Sequence, residues 1–277
     1  MAALLLLASC DRDDADSTYE PSSNDTFILL IDKSASFVKK GGAFNHYVSQ
    51  LLETVTPNSL VIVLSVVDAN TRGDPPVLLK TKLPKVPKEK KRDILFYLRG
   101  RGDFSKSSSC LKNSEYALRV FRDAKEHLRA EIADSFEKIP PSKKTYLIDA
   151  MRDVSDELED RENGKNVVLI LSDGLEDSNI LGKTIVFDNL DFWRNTSPKN
   201  LIEDIKKSGF RPNFNNADVY IAGLSAKQTQ VYDFVRRFWI DFFEYAGARK
   251  AVRRIGLKPV YDQEKFDNKA EEFCQGT

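Results

Sequence analysis

Short apolar runs recur along this chain and alternate with stretches of helical periodicity. Four runs have the length of a strand: TFILLI at 26–31, SLVIVLSVV at 59–67, NVVLILS at 166–172 and DVYIAGL at 218–224. Such runs are typical of parallel strands that are buried on both faces. The apolar periodicity between and after them predicts helices at 41–55, 111–136, 145–159, 198–207 and 228–246. The alternation predicts an α/β fold, a doubly wound and mostly parallel sheet with helices on both faces.

Weaker signals complete the predicted domain organisation. Short strands are predicted at 77–83, 183–186 and 251–257. The first of them is expected at a sheet edge, because polar Lys and Thr alternate with apolar residues in its second half. We expect one domain over residues 26–257, with insertions near 84–110 and 176–200 and a C-terminal tail at 258–277. The aromatic residues of the 228–246 helix indicate core packing, or core packing plus a face for a partner.

The first 25 residues resemble the start of a bacterial lipoprotein. Residues 1–10 read MAALLLLASC, an apolar run that ends in Leu-Ala-Ser-Cys and resembles a lipobox, and residues 11–25 are an acidic, Ser-rich stretch. The resemblance implies cleavage before Cys10, lipidation of its thiol, and an acidic tether behind it. We therefore expect a protein anchored in the lipid bilayer of a bacterial cell envelope and facing the periplasm. Asp11 resembles a signal for retention in the inner membrane.

Composition narrows the classes of function. The chain has 277 residues, with 42 Lys and Arg against 42 Asp and Glu, so no nucleic-acid partner is expected from charge alone. It has two His, which argues against a His-rich metal site. The basic residues between Lys80 and Arg101 favour a solvated edge and insertion, with contact to anionic lipid heads or nucleic acid as the alternative.

Five oxygen-bearing side chains are predicted to meet at one edge of the sheet. Asp32, Ser34 and Ser36 follow the first strand, Thr145 precedes a helix, and Asp173 follows the 166–172 strand. Ligand sites of open parallel sheets form outside the carboxyl ends of the strands, so these residues are expected to face one crevice. A set of hard oxygen ligands without nitrogen or sulfur favours magnesium or calcium over zinc or copper.

The order of these residues resembles the von Willebrand factor A (VWA) domain and its metal-ion-dependent adhesion site. Asp32-x-Ser34-x-Ser36, a distant Thr145, and Asp173 within Ser-Asp-Gly fill all five positions of the family's motif. The resemblance covers about residues 25–257 and implies a Rossmann-like α/β fold. It implies that Mg²⁺ or Mn²⁺ is held by the first four residues, with Asp173 in the outer shell. It also implies a protein partner whose Glu or Asp supplies the last ligand.

Two other functions stay open at this point. A magnesium-dependent phosphohydrolase could use the same acidic cluster, but no nucleophile–His pair and no glycine-rich phosphate loop is evident. The resemblance also allows an adaptor for a separate ATPase. We therefore expect a metal-dependent protein-binding module that is not an enzyme.

Two further features carry open alternatives. If Cys10 takes a lipid, Cys110 and Cys274 remain as a pair that either forms a disulfide outside the cytoplasm or stays as two free thiols. Glu176 and Asp177 follow the second Asp of the motif. They either deepen the negative potential at the cation or are ordinary loop acids.

Overall fold

The structure is a computed structural model that describes eleven stretches of the chain. They are residues 25–34, 37, 44–66, 77–84, 104–139, 141–142, 144–159, 161, 164–180, 183–215 and 217–249, with only the backbone described at 104–119, 180, 183 and 190. The predicted signal, residues 11–24 of the tether, the last strand at 251–257 and the C-terminal tail lie outside them, as does most of the predicted insertion at 84–110. Asp25, the last residue of the predicted tether, is described and belongs to the fold instead, since it is buried and accepts from the N–H of Lys165 (2.8 Å). Within the described part, no helix is long and apolar enough to cross a membrane.

Seven strands and six helices follow one another along the described part of the chain. The strands are β1 (Thr26–Ile31), β2 (Leu60–Ser65), β3 (Val77–Lys82), β4 (Asn166–Leu171), β5 (Asp177–Ile180), β6 (Lys183–Val186) and β7 (Asp218–Ala222). The helices are α1 (Phe44–Thr54), α2 (Phe104–Lys138), α3 (Leu147–Leu158), α4 (Leu190–Arg194), α5 (Pro198–Lys207) and α6 (Thr229–Tyr245). The strong apolar runs predicted their elements to within a few residues.

Five of the strands form one mixed, mostly parallel sheet. Its order is β3-β2-β1-β4-β7, and only the edge pair β2–β3 is antiparallel. Every residue of β1 and β4 is buried, since these strands lie in the middle of the sheet and are covered on both faces. The α/β fold class and the position of 77–82 at a sheet edge are therefore as predicted.

Side chains of the central strand β1 belong alternately to two hydrophobic cores. Ile28 and Leu30 of β1 belong to one core, which α3, α5 and α6 cover. Phe27, Leu29 and Ile31 belong to the other, which α1 and the C-terminal half of α2 cover. Because successive side chains of a strand point to opposite faces, helices on both sides are needed to bury them. This arrangement confirms the doubly wound architecture.

Two regions depart from the sequence prediction. Helix α2 begins at Phe104, inside the predicted insertion and seven residues before the predicted Leu111. The predicted insertion at 176–200 contains a separate antiparallel ribbon, β5–β6, followed by the short α4. Strand 183–186 was predicted, whereas its partner β5 has the polar sequence DSNI and carries no apolar run.

The aromatic residues of α6 are mostly core residues. Phe234, Phe238, Trp239, Phe242 and Phe243 are buried, and several of their rings meet edge to face. Edge-to-face contacts let the positive edge of one ring meet the negative face of another. Core packing therefore accounts for most of the pattern.

Candidate functional site

The first part of the site is the turn that follows β1. The backbone N–H of Asp32 donates to the carbonyl of Leu171 (2.9 Å), which ties the end of β1 to the end of β4. Ser34 folds back on the Asp32 carboxylate, its N–H donating to Oδ1 (2.8 Å) and its hydroxyl to Oδ2 (3.1 Å). Short side chains commonly hydrogen-bond the backbone two residues on. The chain thus holds Asp32, 1% exposed, in one orientation.

The second part comes from the end of β4. The Ser172 hydroxyl donates to Oδ2 of Asp32 (2.7 Å) and accepts from the N–H of Gly174 (3.0 Å). Asp173 is fully buried, and its Oδ1 accepts from the N–H of Leu175 (3.1 Å). Ser172 was not among the predicted site residues, although it stands in the quoted Ser-Asp-Gly.

Gly174 places the turn after Asp173 against helix α6. Its φ is +77°, and a Cβ there would lie 2.2 Å from Cδ1 of Leu224. The Gly174 carbonyl accepts a buried hydrogen bond from Nε1 of Trp239 (2.9 Å). A glycine is required here because a side chain would be both strained and without space.

Thr145 reaches the site on the segment between α2 and α3. The residue is buried, and its carbonyl accepts from the N–H of Asp177 (3.0 Å). Upstream, Ser142 pairs with Ser34 in an isolated parallel bridge, and its N–H donates to the carbonyl of Lys33 (3.1 Å). The segment is therefore joined to both loops that carry the carboxylates.

Glu176 is a buried residue of the site that sequence reasoning left undecided. Its side chain is 1% exposed, and Oε2 accepts from the N–H of Ile148 in the first turn of α3 (2.9 Å). Its sequence neighbour Asp177 begins the β5–β6 ribbon. No local sequence signal separates the two acids, because burial of Glu176 depends on where α3 packs.

Burial raises the pKa of two of these carboxyl groups. The pKa of Asp32 rises to about 6 because of desolvation, while the bonds from Ser172 and Ser34 oppose the rise and the nearby Asp173 charge adds to it. The pKa of Glu176 rises to about 8, again chiefly through burial. The nearby Ser178 hydroxyl and the bonds from the α3 amides oppose that shift, and the Asp32 charge adds to it. The poorly solvated surroundings thus disfavour negative charge on both groups, and Glu176 more than Asp32.

The oxygen atoms at this edge of the sheet are of the kind that binds a hard cation. A hydroxyl that donates to Asp32 keeps lone pairs that can face a metal, so the Ser34 contact is compatible with coordination. The described residues contain no group of three or more His, Cys, Asp or Glu arranged to hold a metal. The predicted set has only two carboxylates and otherwise hydroxyls. It stays a prediction, and its fifth member, Ser36, lies outside the described residues.

The predicted cysteine chemistry also lies outside the described side chains. Cys10 and Cys274 fall outside the described ranges, and Cys110 lies in the part of α2 of which only the backbone is described. Lipidation of Cys10 and the Cys110–Cys274 alternatives therefore stay predictions.

Comparisons with known proteins give distant structural likenesses. No protein-family model and no curated protein matches the sequence. The pilus adhesin SpaC from Lactobacillus rhamnosus GG, in an open conformation, matches with a TM-score of 0.43 and 12% identity over 92% of this chain. The chain spans 30% of the length of that adhesin. The fold class of the chain rests on its own strand order and burial.

A second solved structure is an aerotolerance-related membrane protein from Bacteroides fragilis NCTC 9343 with multiple mutations to serines. It matches with a TM-score of 0.35 and 10% identity, over 90% of this chain and 98% of that one. The site described above therefore rests on the contacts within this chain.

Proposed function

We propose that the protein is a VWA-type binding module that captures a protein partner through a divalent cation. The observation that carries the proposal is that Asp32 and Asp173, both buried, interact at the carboxyl edge of the sheet, where Ser34 bonds Asp32. The buried Thr145 lies on a segment that is bonded to both of their loops. Asp173 adds negative charge next to Asp32. A divalent cation would offset the mutual repulsion of the two carboxylates, and its attraction to them is strong where water is scarce.

In this proposal Asp32, Ser34, Ser36 and Thr145 hold Mg²⁺ or Mn²⁺, and Asp173 acts through the outer shell. The cation would supply an electrophilic position for the Glu or Asp of a partner. The residues of the chain itself orient the ligands: Ser172 fixes the Asp32 carboxylate, and the Ser142 bridge holds the Thr145 segment against Ser34. No step of bond breaking is needed, so we propose binding rather than catalysis.

We also propose that the protein lies in a bacterial cell envelope, anchored by a lipid on Cys10. The apolar run that ends in Leu-Ala-Ser-Cys supports this location. Labelling with palmitate in a bacterial host should mark the wild type and leave Cys10→Ala unmarked. Label that survives this substitution would contradict the anchor.

Calorimetry of the full chain tests the cation site. Titration with MgCl₂ or MnCl₂ should show binding to the wild type, and Asp32→Asn should abolish it because the amide keeps the shape but loses the charge. Glu203→Ala, an exposed acid on α5, is the matched control and should bind as the wild type does. Absence of binding by the folded wild type would overturn the proposal, as would turnover of phosphate esters that depends on Asp32.

A further inference from the structure

The Thr145 segment runs between two helix ends, and both ends lie next to the candidate cation site. Helix α2 ends at Lys138 and α3 begins at Leu147. The last carbonyls and the first N–H groups of a helix have no partner within the helix. Each set must find a partner elsewhere when it is buried. Here the partners are the side chains of Lys33 and Glu176, which lie on the two loops that carry Asp32 and Asp173.

Lys33 holds the end of α2. Its side chain is buried, and Nζ donates to the carbonyls of Phe136 (2.7 Å) and Glu137 (3.1 Å). The ammonium also lies 4.8 Å from the centre of the Phe136 ring. A cation at the C-terminus of a helix opposes the negative end of the helix dipole. Because Lys33 stands between Asp32 and Ser34, this contact ties α2 to the first loop of the site.

Glu176 holds the start of α3. Tyr146, at the N-cap position, makes no side-chain cap, and Oε2 of Glu176 accepts from the N–H of Ile148 instead (2.9 Å). The backbone of the same loop holds the segment directly, through the bond from Asp177 to the Thr145 carbonyl. A carboxyl oxygen can accept this bond whether or not the group carries a proton.

We propose that Lys33 and Glu176 are positioning residues that place Thr145 at the candidate cation site. One holds the helix before Thr145 and the other holds the helix after it, so Thr145 lies between two anchored helix ends. This inference rests on the proposed cation site and adds two residues that touch no cation themselves. Residues that orient metal ligands in this way commonly change metal affinity when they are altered.

Three variants test the proposal by calorimetry with MgCl₂. Glu176→Ala and Lys33→Met should each weaken Mg²⁺ binding by about 10-fold or more, the range seen when groups behind metal ligands are removed. Glu176→Gln should bind within about 3-fold of the wild type, because its amide oxygen can accept the Ile148 N–H in the same way. Glu159→Ala, at the far end of α3, and Lys138→Met, exposed at the end of α2, are the matched controls.

Amide hydrogen exchange separates this inference from the proposed function. In the cation-free full chain, Glu176→Ala should speed exchange at Leu147 and Ile148, and Glu176→Gln should not. If the wild type binds no Mg²⁺, the proposed cation site is wrong. The exchange rates still show whether Glu176 holds the start of α3 through the Ile148 N–H. If Glu176→Ala and Lys33→Met fold and bind Mg²⁺ as the wild type does, the positioning role is wrong. Should Glu176→Ala fail to fold, Lys33→Met and Glu176→Gln test the proposal instead. Wild-type Mg²⁺ affinity in Lys33→Met, or an affinity of Glu176→Gln far below that of the wild type, would contradict it.

Discussion

The hydroxyl of Ser172 donates a 2.7 Å hydrogen bond to Oδ2 of Asp32, across the ends of two neighbouring parallel strands. It also accepts from the N–H of Gly174, so one small side chain connects the first carboxylate of the site to the turn after the second. This bond is the largest of the effects that oppose the rise in the pKa of Asp32. Ser172 is thus part of the electrostatics of the site although it was not predicted as a ligand.

Ser172→Ala should therefore lower the free energy of unfolding and raise the pKa of Asp32. We expect a loss of about 1–3 kcal/mol in the free energy of unfolding, because the Gly174 N–H is left buried without its acceptor. The pKa of Asp32 in chelator should rise above about 6. Denaturant unfolding and a carboxyl ¹³C NMR titration measure the two effects.

Ser155→Ala is the control for Ser172→Ala. Its hydroxyl exchanges hydrogen bonds with the backbone of Asn213, far along the chain from Asp32. It should lower stability by a similar amount and leave the Asp32 pKa unchanged. An unchanged Asp32 pKa in Ser172→Ala would contradict the assigned role.

The two tryptophans of the chain allow a matched comparison. Trp239→Phe removes the fully buried indole N–H that bonds the Gly174 carbonyl, so it should lower stability by about 1–3 kcal/mol. Trp193→Phe should lower stability less, because Nε1 of Trp193 makes no hydrogen bond to the described residues. Chemical unfolding of both variants checks this, and equal losses would contradict it.

Substituting two glycines that have nearly the same backbone conformation distinguishes the cost of backbone strain from the cost of steric crowding. Gly174 has φ +77° and Gly209 has φ +79°, but a Cβ would collide with Leu224 only at Gly174. Gly209→Ala should lose about 1–2 kcal/mol from the left-handed conformation alone. Gly174→Ala should lose about 2–5 kcal/mol, since overpacking of the core adds to the strain. Thermal and denaturant unfolding measure both, and comparable losses would show that the turn can move away from Leu224.

Sequence patterns predicted the parts of the fold that depend on local regularity. The buried strands followed from apolar runs such as Thr26–Ile31, and the stripe of α1 from Phe44 to Leu52 followed from helical spacing. Strand β5 escaped prediction because its residues are polar and its pairing depends on a neighbour in space.

The site divides in the same way. The motif predicted that Asp32 and Asp173 lie close together, because strand ends of a parallel sheet share one edge, and the two carboxylates are near enough to interact. The roles of Lys33 and Glu176 depend on where the ends of α2 and α3 pack, which no spacing within the sequence encodes.

Glu176 should make the cation-free protein lose stability as the pH rises. Its pKa lies at about 8 in the folded chain against an ordinary value of 4.5, so the folded protein holds a proton that the unfolded chain has lost between these values. The unfolding free energy should then fall by up to about 1.4 kcal/mol for each pH unit in this window. Stability from this group is complete below pH 4.5 and is lost as the pH passes about 8.

Unfolding in urea with EDTA, from pH 6 to 8, isolates this effect, because Asp32 contributes mainly below its own pKa of about 6. Glu176→Gln cannot ionise and keeps the acceptor for Ile148, so its stability should be nearly flat over the same interval. The exposed Glu159→Gln should keep the slope of the wild type. A slope in Glu176→Gln as steep as that of the wild type would mean that another group binds the proton.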